Sequence, residues 1–446
     1  MLSSLWLYIN QNTPLFYLTQ TIWRDEAFSV LVAQKNPWEI IQATSADFTP
    51  PLYYLILHYW MLLFGSGEVA TRLLSLVFHI GTAYVVYPLT KYLCRQLKLN
   101  NRFLPIYASI LTLLNPMLLY YGFEVRAYSL LALFVTISFY ALITKHRYLY
   151  IAAASLGLYT HYYFALAYLS QIMYLFFTSK GNKDLRKQLY ITTPTIIFIP
   201  WIPYLIEQVI SSSESWYYPI NLQTWLTSLG SLFTNYQGKP ESLTKPLTYF
   251  TASITAIALF FISKQKKIAT LLATWLLFPP LILLTISEFK PLWVNRYLLY
   301  TAVVESILIT LFIGKVFRKT HLLLFVLVAL TLIWFNNWFI QYQRKMDYRP
   351  PLNTLQEYLM PSDLVVVTDS LLFFETRYYL NNINKKPNSI KIFLREDEYL
   401  PRYVGTAIID KEDIIYNLPK GKTIYLLKPD GNIVSANNYE HSQPHN

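Results

Sequence analysis

Trp23-Arg24-Asp25-Glu26-Ala27-Phe28-Ser29 sets two adjacent carboxylates among apolar segments, in a 446-residue chain that is 54% hydrophobic and only 14% charged. Carboxylates beside a bilayer are costly and call for a reason. One reason is plain solvation of a loop. Against it stands the stretch Asp47-Phe48-Thr49-Pro50-Pro51-Leu52-Tyr53-Tyr54, a second acid ahead of a rigid Pro-Pro and an aromatic-rich amphipathic run.

Around this loop, long uncharged runs overrule the two or three soluble domains that length alone would suggest, because stretches of about 18 or more such residues read as bilayer spans. The mean hydropathy of +0.31 is moderate and implies a sizeable part outside lipid. Candidate spans are 69 to 90, 103 to 121, 127 to 144, 148 to 160, 164 to 178, 189 to 207, 244 to 262, 268 to 287, 297 to 314 and 320 to 340. A weaker first segment, Leu5 to Ile22, is interrupted by Asn10, Gln11, Asn12 and Pro14 and would bring the count to about eleven. Pro50 to Phe64 reads as an interfacial helix, with Tyr and Trp at headgroup level. No cleavable signal peptide and no internal repeat is seen.

The net charge of +12 is distributed in short clusters between spans: Lys91, Arg95, Lys98 and Arg102; Lys145 and Arg147; Lys180, Lys183, Arg186 and Lys187; Lys264, Lys266 and Lys267; Lys315, Arg318 and Lys319. That pattern is the positive-inside signature and not a nucleic-acid footprint. It puts these loops, and Cys94 with them, on the cytoplasmic side. Every unusual polar motif then falls on the extracytoplasmic face of the cell membrane. A single cysteine excludes an internal disulfide and any multi-cysteine metal site.

After Phe339 the apolar period stops, and Arg349-Pro350-Pro351 marks a boundary. We expect residues 1–340 to form the membrane domain, with its first outer loop at 23–68, and residues 341–446 to form a small extracytoplasmic α/β domain. Helical 352–359 and 371–380 alternate with strand-like 364–368 and 390–394, and further apolar runs lie at 407–409 and 423–427, which favours a partly parallel sheet. The tail from Asn437 is polar and expected to be disordered.

Asp-Glu-Ala-Phe-Ser together with the later Asp-x-x-Pro-Pro-Leu-Tyr-Tyr resembles the first outer loop of the GT-C membrane glycosyltransferases related to protein O-mannosyltransferases and lipid A aminoarabinose transferases. Thr71-Arg72-Leu73-Leu74-Ser75 fits the span after that loop, and Glu124-Val125-Arg126-Ala127-Tyr128 resembles the family's Glu-x-Arg-x-Tyr element. The resemblance covers mainly residues 20 to 300. It implies transfer of a sugar from a polyprenyl-phosphate donor to a hydroxyl of a lipid, glycan or protein acceptor, with inversion. Asp25 matches the family's base and Asp47 its second acid. Thr49 stands where many relatives carry His, so no role of that His can be carried over.

Sugar transfer from a lipid phosphate needs a base for the acceptor's proton and cations for the departing phosphate. Arg126, Lys290 and Arg296 are the candidate phosphate cradle, because a guanidinium fork matches phosphate geometry. Glu26, Glu124, Tyr128 and His161 are candidate substrate contacts, with a structural ion pair or helix-start contact the stronger reading for Glu26. For Arg126, snorkelling to headgroups is the plainer alternative; for Asp47 it is a helix N-cap ahead of Pro50, and for His161 an interfacial position. Glu124 and Arg126, two residues apart, would not face each other on a helix. No Walker loop, dinucleotide turn or His/Cys metal spacing is present, so no cofactor is required, while a divalent metal assisting Asp47 stays possible. The competing function is a flippase or transporter of lipid-linked sugars, which would place charges along a path to both faces.

Overall fold

The structure, a computed structural model, describes residues 2–179, 181, 188–211, 219–235, 241–384, 390–395, 397–419 and 421–435. The basic cluster from Lys180 to Lys187 and the tail from Asn437 lie outside the described residues.

The weak first segment is two helices, α1 (Leu2–Asn12) and α2 (Phe16–Thr19), parted at Thr13-Pro14. Proline cannot continue a helix across that point, because it lacks an N–H and clashes with the preceding turn. The first loop is itself helical: α3 (Arg24–Ala33), α4 (Pro37–Ala46) and α5 (Leu52–Phe64). In α4 the Asn36 side chain accepts from the Glu39 amide at 3.0 Å while Glu39 accepts from Asn36 N at 3.2 Å, and Pro37 fills the first turn. That reciprocal cap fixes where the helix begins. Asp47 closes α4 at its C-terminal end, and Pro51 precedes α5 without a side-chain cap. The N-cap reading of Asp47 is thereby corrected. Helix α5 buries Tyr53, Tyr54 and Leu57 and exposes Tyr59, Leu62, Leu63 and Phe64, the two-faced pattern expected of an interfacial helix.

Among the described residues, five helical segments are long and apolar enough to cross a membrane: Glu68–Gln96 (α6), Leu189–Ser211, Lys245–Ile262, Lys266–Ser287 and His321–Tyr342. The expected span at 103 to 121 is α7 (Leu104–Leu114) and α8 (Pro116–Gly122), bent by 60° at Asn115. Counted as one, this pair makes six. Here Pro116 breaks the first helix while the Asn115 side chain accepts from Leu118 N at 3.0 Å and starts the second. The other expected spans are shorter helices: α9 (Tyr128–Thr144), α10 (Arg147–Thr160), α11 (Phe164–Thr178) and Thr301–Val316. At ~1.5 Å per residue, these reach about 20 to 26 Å, short of a ~30 Å hydrocarbon core.

Beyond the last apolar helix, helices Arg349–Tyr358 and Phe373–Asn384 pack on a five-stranded sheet of order β3-β2-β1-β4-β5. Its strands are β1 (Leu364–Val367), β2 (Ile390–Phe393), β3 (Ile414–Ile415), β4 (Ile424–Leu427) and β5 (Ile433–Ser435). All pair in parallel except β5, which runs antiparallel to β4. The apolar run at 407–409 is a 3₁₀ turn, Thr406–Ile408, and adds no strand.

One buried core fills the helical body, and a second one joins the first loop to the sheet region. The second holds Ile22, Phe28, Val30 and Tyr53 from the first loop, Val125 and Leu130 around the start of α9, and Val365, Phe373 and Phe374 from the C-terminal region. Gly405, at φ +90°, sits where a side chain would meet the rings of Phe374 at 2.8 Å and Phe28 at 2.9 Å. Only glycine permits both that backbone and that approach. The acid-bearing helix α3 is therefore built into the same core as the sheet.

Candidate active site

Asp25 and Glu26 lie in the first turn of α3, where the free N–H groups and the helix dipole favour negative charge. Adjacent positions on a helix point different ways, and the two acids have opposite fates. Glu26 is fully buried. Its Oε1 accepts from Arg72 Nε at 2.9 Å and Val125 N at 3.1 Å, and its Oε2 accepts from Arg72 Nη2 at 2.6 Å, Lys345 Nζ at 3.1 Å and Trp23 N at 3.4 Å. Burial alone would raise its pKa, but Arg72 and Lys345 hold it down at about 2. This is the ion-pair and helix-start role expected of Glu26, and both oxygens are committed to protein donors.

Asp25 is half-buried. Among the described residues no donor bonds its carboxylate directly. Burial works against its charge, but Arg126, Arg296, Arg24 and Lys345 together keep it below the ordinary carboxylate range. Arg126 Nη1 donates to the Asp25 carbonyl at 3.4 Å, and its guanidinium lies 5.8 Å from the centre of the Tyr128 ring. Arg296, from a 3₁₀ turn more than 160 residues later in the chain, donates to Tyr128 Oη at 3.0 Å and lies 5.6 Å from the Tyr297 ring. Two guanidiniums from separate elements thus flank one half-buried carboxylate. Lys290 is exposed just beyond the Lys266–Ser287 helix.

Asp47, also half-buried, behaves oppositely. Burial raises its pKa despite the Phe48 amide, Arg126 and a 3.3 Å bond from the Thr49 hydroxyl, and the charge of Asp25 adds to the rise. Thr49 also donates to Tyr54 Oη at 3.3 Å. Gln208 donates to the carbonyls of Thr44 and Ser45 at 3.0 and 2.9 Å, and so anchors the end of α4 that leads to Asp47. Arg126 thus acts on two carboxylates whose pKa values are pushed in opposite directions.

His161, in the turn after α10, is buried, and its Nδ1 accepts from Tyr163 N at 3.2 Å. Its ring lies 4.8 Å from Tyr297, 5.5 Å from Tyr163 and 6.0 Å from Tyr128. Burial, Arg126 and Arg296 push its pKa down to about 3, so the imidazole is neutral. Glu124 and Arg126 diverge as expected. Glu124 turns inward to Lys345 at 3.6 Å, with its other oxygen buried and without a donor, and burial raises its pKa. Among the described residues, no three His, Cys, Asp or Glu side chains group to hold a metal ion.

Sequence reasoning did not single out the roles of Arg72, Lys345 and Glu375. Arg72 is fully buried inside a 29-residue apolar helix, and an ion in such a setting was a usable signal. Lys345 stood in a polar linker among other charges and carried none.

No sequence-family model matches the chain, and no curated protein matches it by sequence. Solved structures do match. ArnT from Cupriavidus metallidurans in the apo state superposes at a TM-score of 0.63 with 11% identity, covering 96% of this chain and 94% of that one. The fold is that of ArnT. ArnT bound to undecaprenyl phosphate, from the same organism, superposes at 0.58 with 12% identity, over 93% of this chain and 90% of that one. The match to ArnT, a GT-C fold, extends over the C-terminal sheet region as well as the helical body.

Proposed function

We propose that this protein is an integral membrane glycosyltransferase that moves a sugar from a polyprenyl-phosphate donor to an acceptor hydroxyl, with inversion. The observation that carries the reading is one half-buried carboxylate, Asp25, flanked by Arg126 and Arg296 and left without a bonded donor. The ArnT fold, seen in one structure with undecaprenyl phosphate, supports the donor class. In this reading residues 1–340 form a membrane domain of about eleven spans, with the shorter helices in locally thinned bilayer. Residues 341–446 form the outer domain. The site and that domain face away from the cytoplasm, as the basic loops indicate.

In the reaction the acceptor O–H gives its proton to Asp25 as its oxygen bonds to the sugar's C1. The C1–O bond to phosphate breaks, and the phosphate leaves with the electron pair. Arg126 and Arg296 stabilise the growing negative charge where water is partly excluded. Tyr128, Tyr297 and the neutral His161 line the same place and suit the faces of a sugar ring. Lys290 is the third cation of the cradle. Asp47 orients the acceptor. A second reading makes Asp47 the base, because its raised pKa gives it the greater proton affinity of the two acids.

The test is to incubate purified protein in nanodiscs with a panel of radiolabelled polyprenyl-phosphate sugars and membrane extract. The reading expects label to move from at least one donor into an acceptor. Movement of intact labelled lipid between leaflets without transfer would support the flippase alternative instead.

A further inference from the structure

Lys345 leaves the last apolar helix and returns to the centre of the first loop. Its side chain is 12% exposed, and its ammonium lies 3.1 Å from Glu26, 3.6 Å from Glu124 and 5.1 Å from the centre of the Trp23 ring. Together with Arg72 it balances two buried carboxylates, so the sealed set is neutral. Each of those carboxylates is tied to the catalytic groups. Glu26 adjoins Asp25 and accepts from Val125 N, while the Glu124 carbonyl accepts from Arg126 N at 2.8 Å. Holding Glu26 and Glu124 together therefore holds α3 against the turn that carries Arg126.

A second grip comes from the C-terminal helix Phe373–Asn384. Glu375 Oε1 accepts from Arg24 N at 2.6 Å, one residue before Asp25, and the Arg24 guanidinium donates to the Tyr403 carbonyl. Phe374 packs edge-on against Phe28 at 5.4 Å, one helical turn after Asp25. The start of α3 is thus clamped by Arg72 of α6 at one point and by the sheet region at another.

We propose that the C-terminal region completes the catalytic centre, with Lys345 and Glu375 as positioning residues that hold Asp25 opposite Arg126 and Arg296. The proposal rests on the transferase reading for its kinetic consequence only. Without Lys345, Glu26 and Glu124 lose the ammonium that bridges them, and Glu124, whose pKa burial already raises, takes up a proton and no longer holds its turn against α3. Without the Glu375 carboxylate, the Arg24 amide loses its partner and the first turn of α3 loosens.

The experiment uses the full chain in nanodiscs with Lys345→Met, Lys345→Arg, Glu375→Ala and Glu375→Gln. Hydrogen exchange across 24–29 and 124–127 should speed up at least about tenfold in Lys345→Met, and across 24–29 in Glu375→Ala. Lys345→Arg and Glu375→Gln keep the charge or the acceptor and should restore most of the protection. In transfer assays Lys345→Met should lower kcat at least about tenfold while the donor KM stays within about threefold. Unchanged exchange in both disruptive variants overturns the proposal, as does a raised donor KM with kcat intact, which would make Lys345 a donor contact. Should the wild type transfer no sugar, the transferase reading fails while exchange still decides the clamp. Should Lys345→Met not fold, Glu375→Ala decides alone.

Discussion

Replacing Glu26 by Gln keeps the shape of the side chain and removes the charge on which five donors converge. Arg72, with no exposed surface, then faces an amide that presents N–H where an oxygen stood, and Lys345 loses its nearest partner. Breaking a buried ion pair by removing one partner costs about 3–5 kcal/mol, because the other charge stays buried and uncompensated. Arg72→Met should cost a similar amount, less whatever its apolar chain recovers in packing. The two losses share the Arg72–Glu26 pair, although Arg72 also donates to the Leu18, Gln20 and Thr21 carbonyls, so Glu26→Gln/Arg72→Met should lose less than the sum by about 0.5–3 kcal/mol. Reversible unfolding of purified protein in mixed micelles, followed by tryptophan fluorescence and circular dichroism, measures all three. Losses that add to within ~0.5 kcal/mol would refute the placement of Arg72 on Glu26.

Arg126→Lys should raise the donor KM at least about tenfold, since a point charge lacks the bidentate fork; equal KM values in a donor titration would remove Arg126 from the phosphate site. Glu375 is raised by burial from 4.5 to about 8, so the folded chain holds its proton more tightly than the unfolded one. Its contribution to stability is therefore full below 4.5 and lost as pH rises through about 8. Melting temperatures across that range should fall more steeply for wild type than for Glu375→Gln, and parallel curves would contradict this. In a Cys94→Ala background, Gln42→Cys and Glu398→Cys should react with an impermeant thiol reagent on intact cells, whereas labelling only after lysis would reverse the proposed orientation.

The acid pair, the Pro-Pro element and the Glu-x-Arg-x-Tyr turn were legible because they are contiguous and chemically unusual for an apolar chain. Helix positions were legible too, while span lengths were not. Asn115-Pro116 breaks a run that hydropathy reads as continuous, and α10 stops at His161 although apolar character resumes at Phe164. Strands β1, β2 and β4 could be read from their apolar runs, whereas the two-residue β3 (Ile414–Ile415) could not, and the run at 407–409 falls where Gly405 starts a 3₁₀ turn. What could not be read was the return of the C-terminal region onto the first loop. Lys345 meets Glu26 across 319 positions, and Glu375 meets Arg24 across 351. Nothing local marks either contact, since a lone lysine in a polar linker and a lone glutamate on a short helix have the composition of solvated surface.

The most direct measurement is single-turnover transfer from a radiolabelled polyprenyl-phosphate sugar by wild type, Asp25→Asn and Asp47→Asn, with donor binding measured in parallel. Asp25→Asn keeps size and packing while removing the proton acceptor. It should slow transfer at least about a hundredfold with donor affinity within about threefold, and Asp47→Asn should cost less. Near-normal transfer by Asp25→Asn with loss in Asp47→Asn would move the base to Asp47, and undiminished transfer by both would contradict the site itself.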